Sequence, residues 1–489
     1  MKKRLFSLIL AVIIAVSGAV PMTAFAGKKQ AAQAKYNGNP IVLVRGMTFD
    51  GLYYKLGTDE EENCFRGVKA GDVIRVALKA VATGVFRWSY DEAVKVINEY
   101  LNEIMGLMAC NPDGTSKYDV SVKQYPKSIA NYPEIWESAE NDEVGILRGA
   151  AEKYGAENVY YYNYDWRLDP FIHADNIEKL INTARKDSGK SKVNLVCCSM
   201  GGVLTVSYIY KYGISKLNRV LFLSSTVTGT HVTTDILRGM VEVDADHLYY
   251  YTQGLAQDSK PLAFLFKLLY KGGVMKGLCG LVNRLIPHLK DEVFNGFLKD
   301  TFGTMPAVWA ITLPEGYDEA IKYMFEGQED KYKGIIELSK KYQKVAAHRE
   351  KMLLNAEKSG VNICVVAGYN RACIPVYPGG GGNGDAILES DRMLCGAKVA
   401  EIGKTLGDNY KAKNPKLVSP DNVVDLSDAL FPGTTWAISN GHHVCGDYGS
   451  DFGELVLGIL GFKGKCTVES FDRFPQFIYS PTRAEFGEF

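Results

Sequence analysis

Apolar residues along this chain fall into two kinds of stretch that alternate: short unbroken runs, and longer runs with helical spacing. The short runs lie at 40–44, 158–162, 193–198, 219–223 and 361–368, each of them strand-length and bounded by turn residues. Helical patterns stand between the earlier ones, at 143–154, 177–187 and 203–210. Strands alternating with helices at this spacing imply parallel βαβ units and a doubly wound α/β sheet.

Two interruptions break the alternation. Residues 48–133 hold an acidic turn (Asp59-Glu60-Glu61-Glu62) and a helix-like stretch over 90–108. That is too long for a loop and reads as a lid insertion. From 233 to 359 the pattern is helical, with segments at 262–269, 274–286, 317–323 and 333–359. Placed between two strands, these segments form a cap over the face that carries the chemistry. Its Leu, Met, Phe and Tyr content suits an apolar acyl pocket. A short last strand at 434–438 and a final helix at 451–460 follow. The expected organisation is a core of 38–232 and 360–465, a lid at 48–133, a cap at 233–359 and an aromatic tail at 466–489 lying over the surface.

The N-terminus adds a compartment. Met1-Lys2-Lys3-Arg4 is a basic start, 5–20 is apolar, and Ala24-Phe25-Ala26 is a small-x-small cleavage site. Residues 1–26 thus read as a secretory signal peptide, which predicts a secreted or cell-surface protein. The 489 residues, 46% hydrophobic and 23% charged, are those of a folded chain rather than a disordered one. Lysine plus arginine (56) equals aspartate plus glutamate (56), so no excess positive charge recommends a nucleic-acid partner. Export permits disulfides among the 10 cysteines. Cys64 and Cys110, flanking one helical segment, are the best candidate pair. Cys197, Cys198 and Cys364 fall inside strands and read as small hydrophobes. No Cys-x-x-Cys pair or histidine cluster calls for a metal, and nothing calls for a cofactor.

The third short run, 193–198, leads into Ser199-Met200-Gly201-Gly202 and then a helix. This is the layout of a nucleophile elbow, where strand, sharp turn and helix present a serine at the apex. Cys197 stands where such elbows usually have glycine. On this reading Cys197→Gly should be tolerated, since glycine relieves crowding. A serine nucleophile needs a base, and the base an orienting acid. Asp385, in a glycine-rich loop after the 361–368 strand, and His443, after the last strand, follow Ser199 in the order Ser, Asp, His. His442 is the alternative base; Glu389 and Asp391 are alternative acids. The 40–44 strand ends at Arg45-Gly46-Met47. There the Met47 amide, or that of Gly46, would pair with the Met200 amide as oxyanion hole.

Several of these segments together resemble the lecithin:cholesterol acyltransferase family. They are Pro40-Ile41-Val42-Leu43-Val44, Tyr164-Asp165-Trp166-Arg167-Leu168, the Ser199-Met200-Gly201-Gly202 elbow, Met305-Pro306 with Leu313-Pro314, Gly384-Asp385 and His443-Val444. The resemblance implies an α/β-hydrolase fold with lid and cap. It implies phospholipase or acyl-transfer activity on lipid or phospholipid esters, with an alcohol acceptor and contact with a membrane or micelle surface left open. It also implies that Asp165 and Arg167 form a structural, partly buried ion pair. Cys197 and Ala386 stand where the family has glycine. Another esterase or thioesterase, or a non-catalytic binding protein on the same scaffold, remains the alternative.

Overall fold

The computed structural model describes residues 36, 38–49, 51–66, 90–139, 142–256, 259–378, 382–444 and 446–489. The signal-peptide expectation for 1–26 therefore lies outside the described residues. Seven strands build the main sheet: β1 (Ile41–Val44), β2 (Val159–Tyr162), β3 (Val193–Cys198), β4 (Leu217–Leu223), β5 (Asn362–Tyr369), β6 (Thr435–Ser439) and β7 (Phe477–Tyr479). Their order is β7-β6-β5-β4-β3-β1-β2, and every neighbouring pair is parallel. The protein is thus an α/β fold with the doubly wound, mostly parallel sheet that the alternation predicts.

Each strand feeds two cores, because successive side chains point to opposite faces. Val42, Val44, Leu195, Cys197, Val220 and Phe222 enter one core. Ile41, Leu43, Val196, Cys198, Leu221 and Leu223 enter the other. Three of the helices that cover the sheet lie next to the strands of the candidate site. These are α1 (Asp142–Tyr154), α2 (Pro170–Ser188) and α3 (Gly201–Tyr212). Ile177 and Ile181 of α2 and Leu204 and Tyr208 of α3 cover the first face. Ile146 and Leu147 of α1 cover the second. The chain leaves β1 toward α1 on one face and β3 toward α3 on the other, so the carboxyl ends of these two adjacent strands form a topological switch point.

Helix α2 begins seven residues before the predicted 177. Asp169 accepts a hydrogen bond from the Phe171 amide and Pro170 occupies the first turn, a strong start signal that hydrophobic spacing alone passes over. Between β4 and β5 the chain forms, among other elements, α4 (His231–Leu237), α5 (Ala245–Leu255), α6 (Lys260–Lys271), α7 (Val274–Val293), α8 (Tyr317–Phe325) and α9 (Lys333–Lys358). The first two lie in a stretch with no predicted element. Helix α10 (Asp451–Gly461) packs Leu455, Val456 and Ile459 beside α1.

Two expectations change. The tail does not merely lie over the surface: Phe477–Tyr479 pairs in parallel with β6 as the seventh strand, through Ala437↔Phe477 to Ser439↔Tyr479. At three residues the strand is too short to show a period. Cys64 and Cys110 are both buried free thiols, not a disulfide. Burial pushes Cys64 up to about 11 and Cys110 up to about 12.

Candidate active site

Ser199 follows the last residue of β3 with φ +51°, in the left-handed region that non-glycine residues rarely adopt. The surrounding sequence holds it there. Its amide donates to Leu223 O (3.2 Å), and its carbonyl accepts from Gly202 N (3.2 Å) and Ser225 Oγ (2.6 Å). Both glycines of the elbow are required by space. A Cβ on Gly201 would lie 2.7 Å from Val44 O, and one on Gly202 would lie 2.5 Å from Thr226 O. Cys197 occupies a different environment from the crowded one expected of it. It is fully buried in the core, its register partners are Val44 and Phe222, and its thiol donates to Leu221 O at 3.4 Å. Here the side chain fills space rather than pressing on the turn.

The β1 loop meets the serine directly. A Cβ on Gly46 would come within 2.9 Å of Ser199 Cβ, so only glycine lets this loop approach so closely. The Gly46 amide donates to Glu143 Oε2 at 2.9 Å. The amides of Met47 and Met200 donate to no acceptor among the described residues. Of the two β1-loop amides considered from sequence, only that of Met47 is therefore available. Met200 stands at the N-terminus of α3, where the helix dipole favours negative charge. Arg45 is buried, with Nη1 on Asn163 Oδ1 and its guanidinium 6.0 Å from the Tyr164 ring centroid.

Asp385 comes from a small hairpin after β5, in which Asn383–Gly384 pairs with Arg371–Ala372. Its side chain is fully buried, and each oxygen has its own partner. Oδ1 accepts from the amides of Ile387 (3.1 Å) and Leu388 (2.9 Å), while Oδ2 meets His443 Nδ1 at 2.7 Å. Ala386 takes φ +86°, where glycine is comfortable, so this departure from the family motif sits at the strained corner of the turn. Val444 is buried beneath the histidine loop and anchors it.

Among the sequence candidates, Asp385 and His443 are brought into contact, and Ser199 projects from the same carboxyl edge of the sheet. His442 lies in a buried environment near two arginines. Burial, followed by the charges of Arg371 and Arg483, lowers it to about 2. Glu389 turns to α4, accepting from His231 N (3.1 Å) and Val232 N (3.3 Å). Asp391 pairs with Arg392. The Asp165–Arg167 pair is more deeply buried than expected and more extensively bonded. Arg167 holds Asp165 through Nε (2.8 Å) and Nη2 (2.5 Å), and reaches Met108 O (2.8 Å) and Ser116 Oγ (3.0 Å). It fastens the segment around Met108 and Ser116 to the loop after β2. Ala307, in the Met305–Pro314 stretch, donates from its amide to Arg167 O. Sequence reasoning missed Glu143 and Ser225. A carboxylate at a helix start and a serine after a strand carry no signal that they will support an elbow. Among the described residues, no group of three His, Cys, Asp or Glu side chains could hold a metal ion.

The fold and this edge define an α/β protein in which Ser199 stands in a strained turn after β3 and the Asp385–His443 pair lies on later loops. No family model and no curated protein matches the chain. Among solved structures, a chain of the Tle4-Tli4 complex aligns over 70% of this chain and 77% of its own length. It has 12% identity and a TM-score of 0.27, a likeness too slight to carry an argument.

Proposed function

We propose that the chain is an exported serine hydrolase or acyltransferase that cleaves ester-linked acyl chains of lipids or phospholipids through an acyl-serine. The observation that carries this reading is the Asp385–His443 contact of 2.7 Å, on the same sheet edge as a serine held at φ +51°. Two amides fix Asp385 so that its second oxygen is committed to His443 Nδ1. Nδ1 then carries the proton, and Nε2 is left as the acceptor that a general base requires.

In the proposed reaction, His443 takes the Ser199 hydroxyl proton as Oγ attacks the ester carbonyl carbon. The carbonyl oxygen becomes an oxyanion, held by the Met200 and Met47 amides; each such donor is worth about 3 kcal/mol. The tetrahedral intermediate expels the alcohol, which takes the proton back from His443. Water, or an alcohol acceptor, then loses a proton to His443 and attacks the acyl-serine; the second tetrahedral intermediate expels Ser199 Oγ, which takes that proton back, and acid or new ester is released. The resemblance to the acyltransferase family supports a lipid substrate. Product analysis on acyl-labelled phospholipid, with and without added alcohol, tests the reading. Free fatty acid in water alone identifies a lipase, and ester formed only with alcohol identifies an acyltransferase. Turnover of short esters or thioesters but no phospholipid would replace the lipid assignment, and the absence of any turnover would remove the enzyme.

A further inference from the structure

Helix α6 (Lys260–Lys271) carries two apolar faces, and only one of them is used. Phe266 is buried against Met275 and Ala256, with Ala263 and Tyr270 packed beside it. The opposite face leaves Phe264 61%, Leu265 49% and Leu268 52% exposed, with Leu262 next to them. Large apolar side chains grouped on one exposed helix face mark a surface that is covered in use. The charges beside them indicate what covers it. Between Asp258 and Asp291 the chain has no carboxylate and carries six cations: Lys260, Lys267, Lys271, Lys276, Arg284 and Lys290. The whole chain is balanced at 56 against 56, so this run is a local excess. Beside it, Asp244 caps α5 through the His247 amide (2.8 Å), and Asp246 accepts from Tyr270 OH (2.9 Å); among the described residues, neither is ion-paired with an α6 lysine.

From this we infer that α6 docks the protein on an anionic lipid surface, with Phe264, Leu265 and Leu268 entering the acyl boundary and Lys260, Lys267 and Lys271 reaching to phosphate groups. An apolar helix face flanked by lysines, with no acid on the helix, is the pattern of interfacial binding, in which long lysine stems let the charge stay in the headgroup layer. The placement is consistent with work at the sheet edge. Helix α6 packs on α5, and the α5 carbonyl of Gly254 accepts from Arg371 Nη2 at 2.9 Å. Arg371 belongs to the hairpin that carries Asp385. The docking face is therefore one helix removed from the candidate site. The inference adds a membrane-facing element to the proposed function but does not depend on it, because binding is measured without turnover.

The test is vesicle flotation of the full chain on phosphatidylcholine vesicles with and without 30 mole per cent phosphatidylglycerol, roughly the charge density at which polybasic surfaces respond. The wild-type chain should float with the anionic vesicles, and raised salt should weaken it. Phe264→Glu with Leu268→Glu should cut binding at least roughly tenfold. Lys260→Gln with Lys267→Gln and Lys271→Gln should abolish the preference for anionic vesicles. All changed residues are exposed, so both variants should melt with the wild type. Equal flotation of the wild type and the Phe264/Leu268 variant would overturn the inference, as would no flotation of the wild type. A wild-type dimer that becomes monomeric in that variant, with no vesicle binding, would overturn it in favour of a second copy of the chain.

Discussion

Replacing Asp385 by asparagine isolates one function of the site. In the native protein Oδ1 is held by the amides of Ile387 and Leu388, both donors, at 3.1 and 2.9 Å. Asparagine must present its own oxygen to those two amides, since turning its NH2 toward them would leave two buried donors facing a third. Its NH2 then faces His443 Nδ1, where Oδ2 stood at 2.7 Å. A donor in that place turns Nδ1 into the acceptor and moves the ring proton to Nε2, so His443 can no longer take a proton from Ser199. The geometry survives while the tautomer is wrong, and the same change in serine-protease triads lowers kcat on the order of 10⁴-fold, or about 5 kcal/mol. Asp385→Asn should therefore lose roughly 10³ to 10⁴ in kcat on an ester substrate, with KM little changed. Its melting temperature should stay within about 4 °C, since the two amide bonds are kept. Stopped-flow or discontinuous ester hydrolysis with paired thermal melts measures both. Retention of more than a third of wild-type kcat by a folded Asp385→Asn protein would refute the tautomer argument.

Two further outcomes follow from side chains around the site. Cys197→Gly removes a fully buried side chain from a central strand and adds backbone freedom, so it should cost about 2–3 kcal/mol in urea unfolding, not be neutral as crowding would suggest. An unchanged midpoint would restore the crowding view. Glu389 is raised to about 7, by burial first and then by the charge of Asp391. Its native form keeps a proton that the unfolded chain releases near pH 4.5, so stability falls as pH rises from about 4.5 to 7 and levels off above. That term is on the order of 3 kcal/mol. Glu389→Gln should gain on the wild type across the same window in melts at pH 4.5 to 8, and parallel curves would show that Glu389 does not titrate there.

The sheet was legible in the sequence because strands buried on both faces leave unbroken apolar runs, and 193–198 and 361–368 match β3 and β5 closely. That an acid-bearing loop and a histidine-bearing loop would share one edge was legible from chain order, since loops after parallel strands converge there. Other features carry no local pattern. The seventh strand is three residues of an aromatic tail, stabilised by pairing with β6 rather than by its own period. The choice between His442 and His443 depends on which of two adjacent rings turns toward Asp385, and adjacency in sequence cannot encode that. That the Gly46 amide is taken, leaving Met47 as the β1-loop candidate, depends on Glu143, 97 residues away, a tertiary contact with no local signal.

The central claim is that Ser199 is an activated nucleophile. Labelling with a fluorophosphonate probe, followed by peptide mapping, tests it most directly. The account predicts one phosphonylated peptide with the modification on Ser199, none in Ser199→Ala, and labelling slowed at least roughly 10²-fold in His443→Ala. An unlabelled wild-type protein, or equal labelling of the wild type and Ser199→Ala, would contradict it.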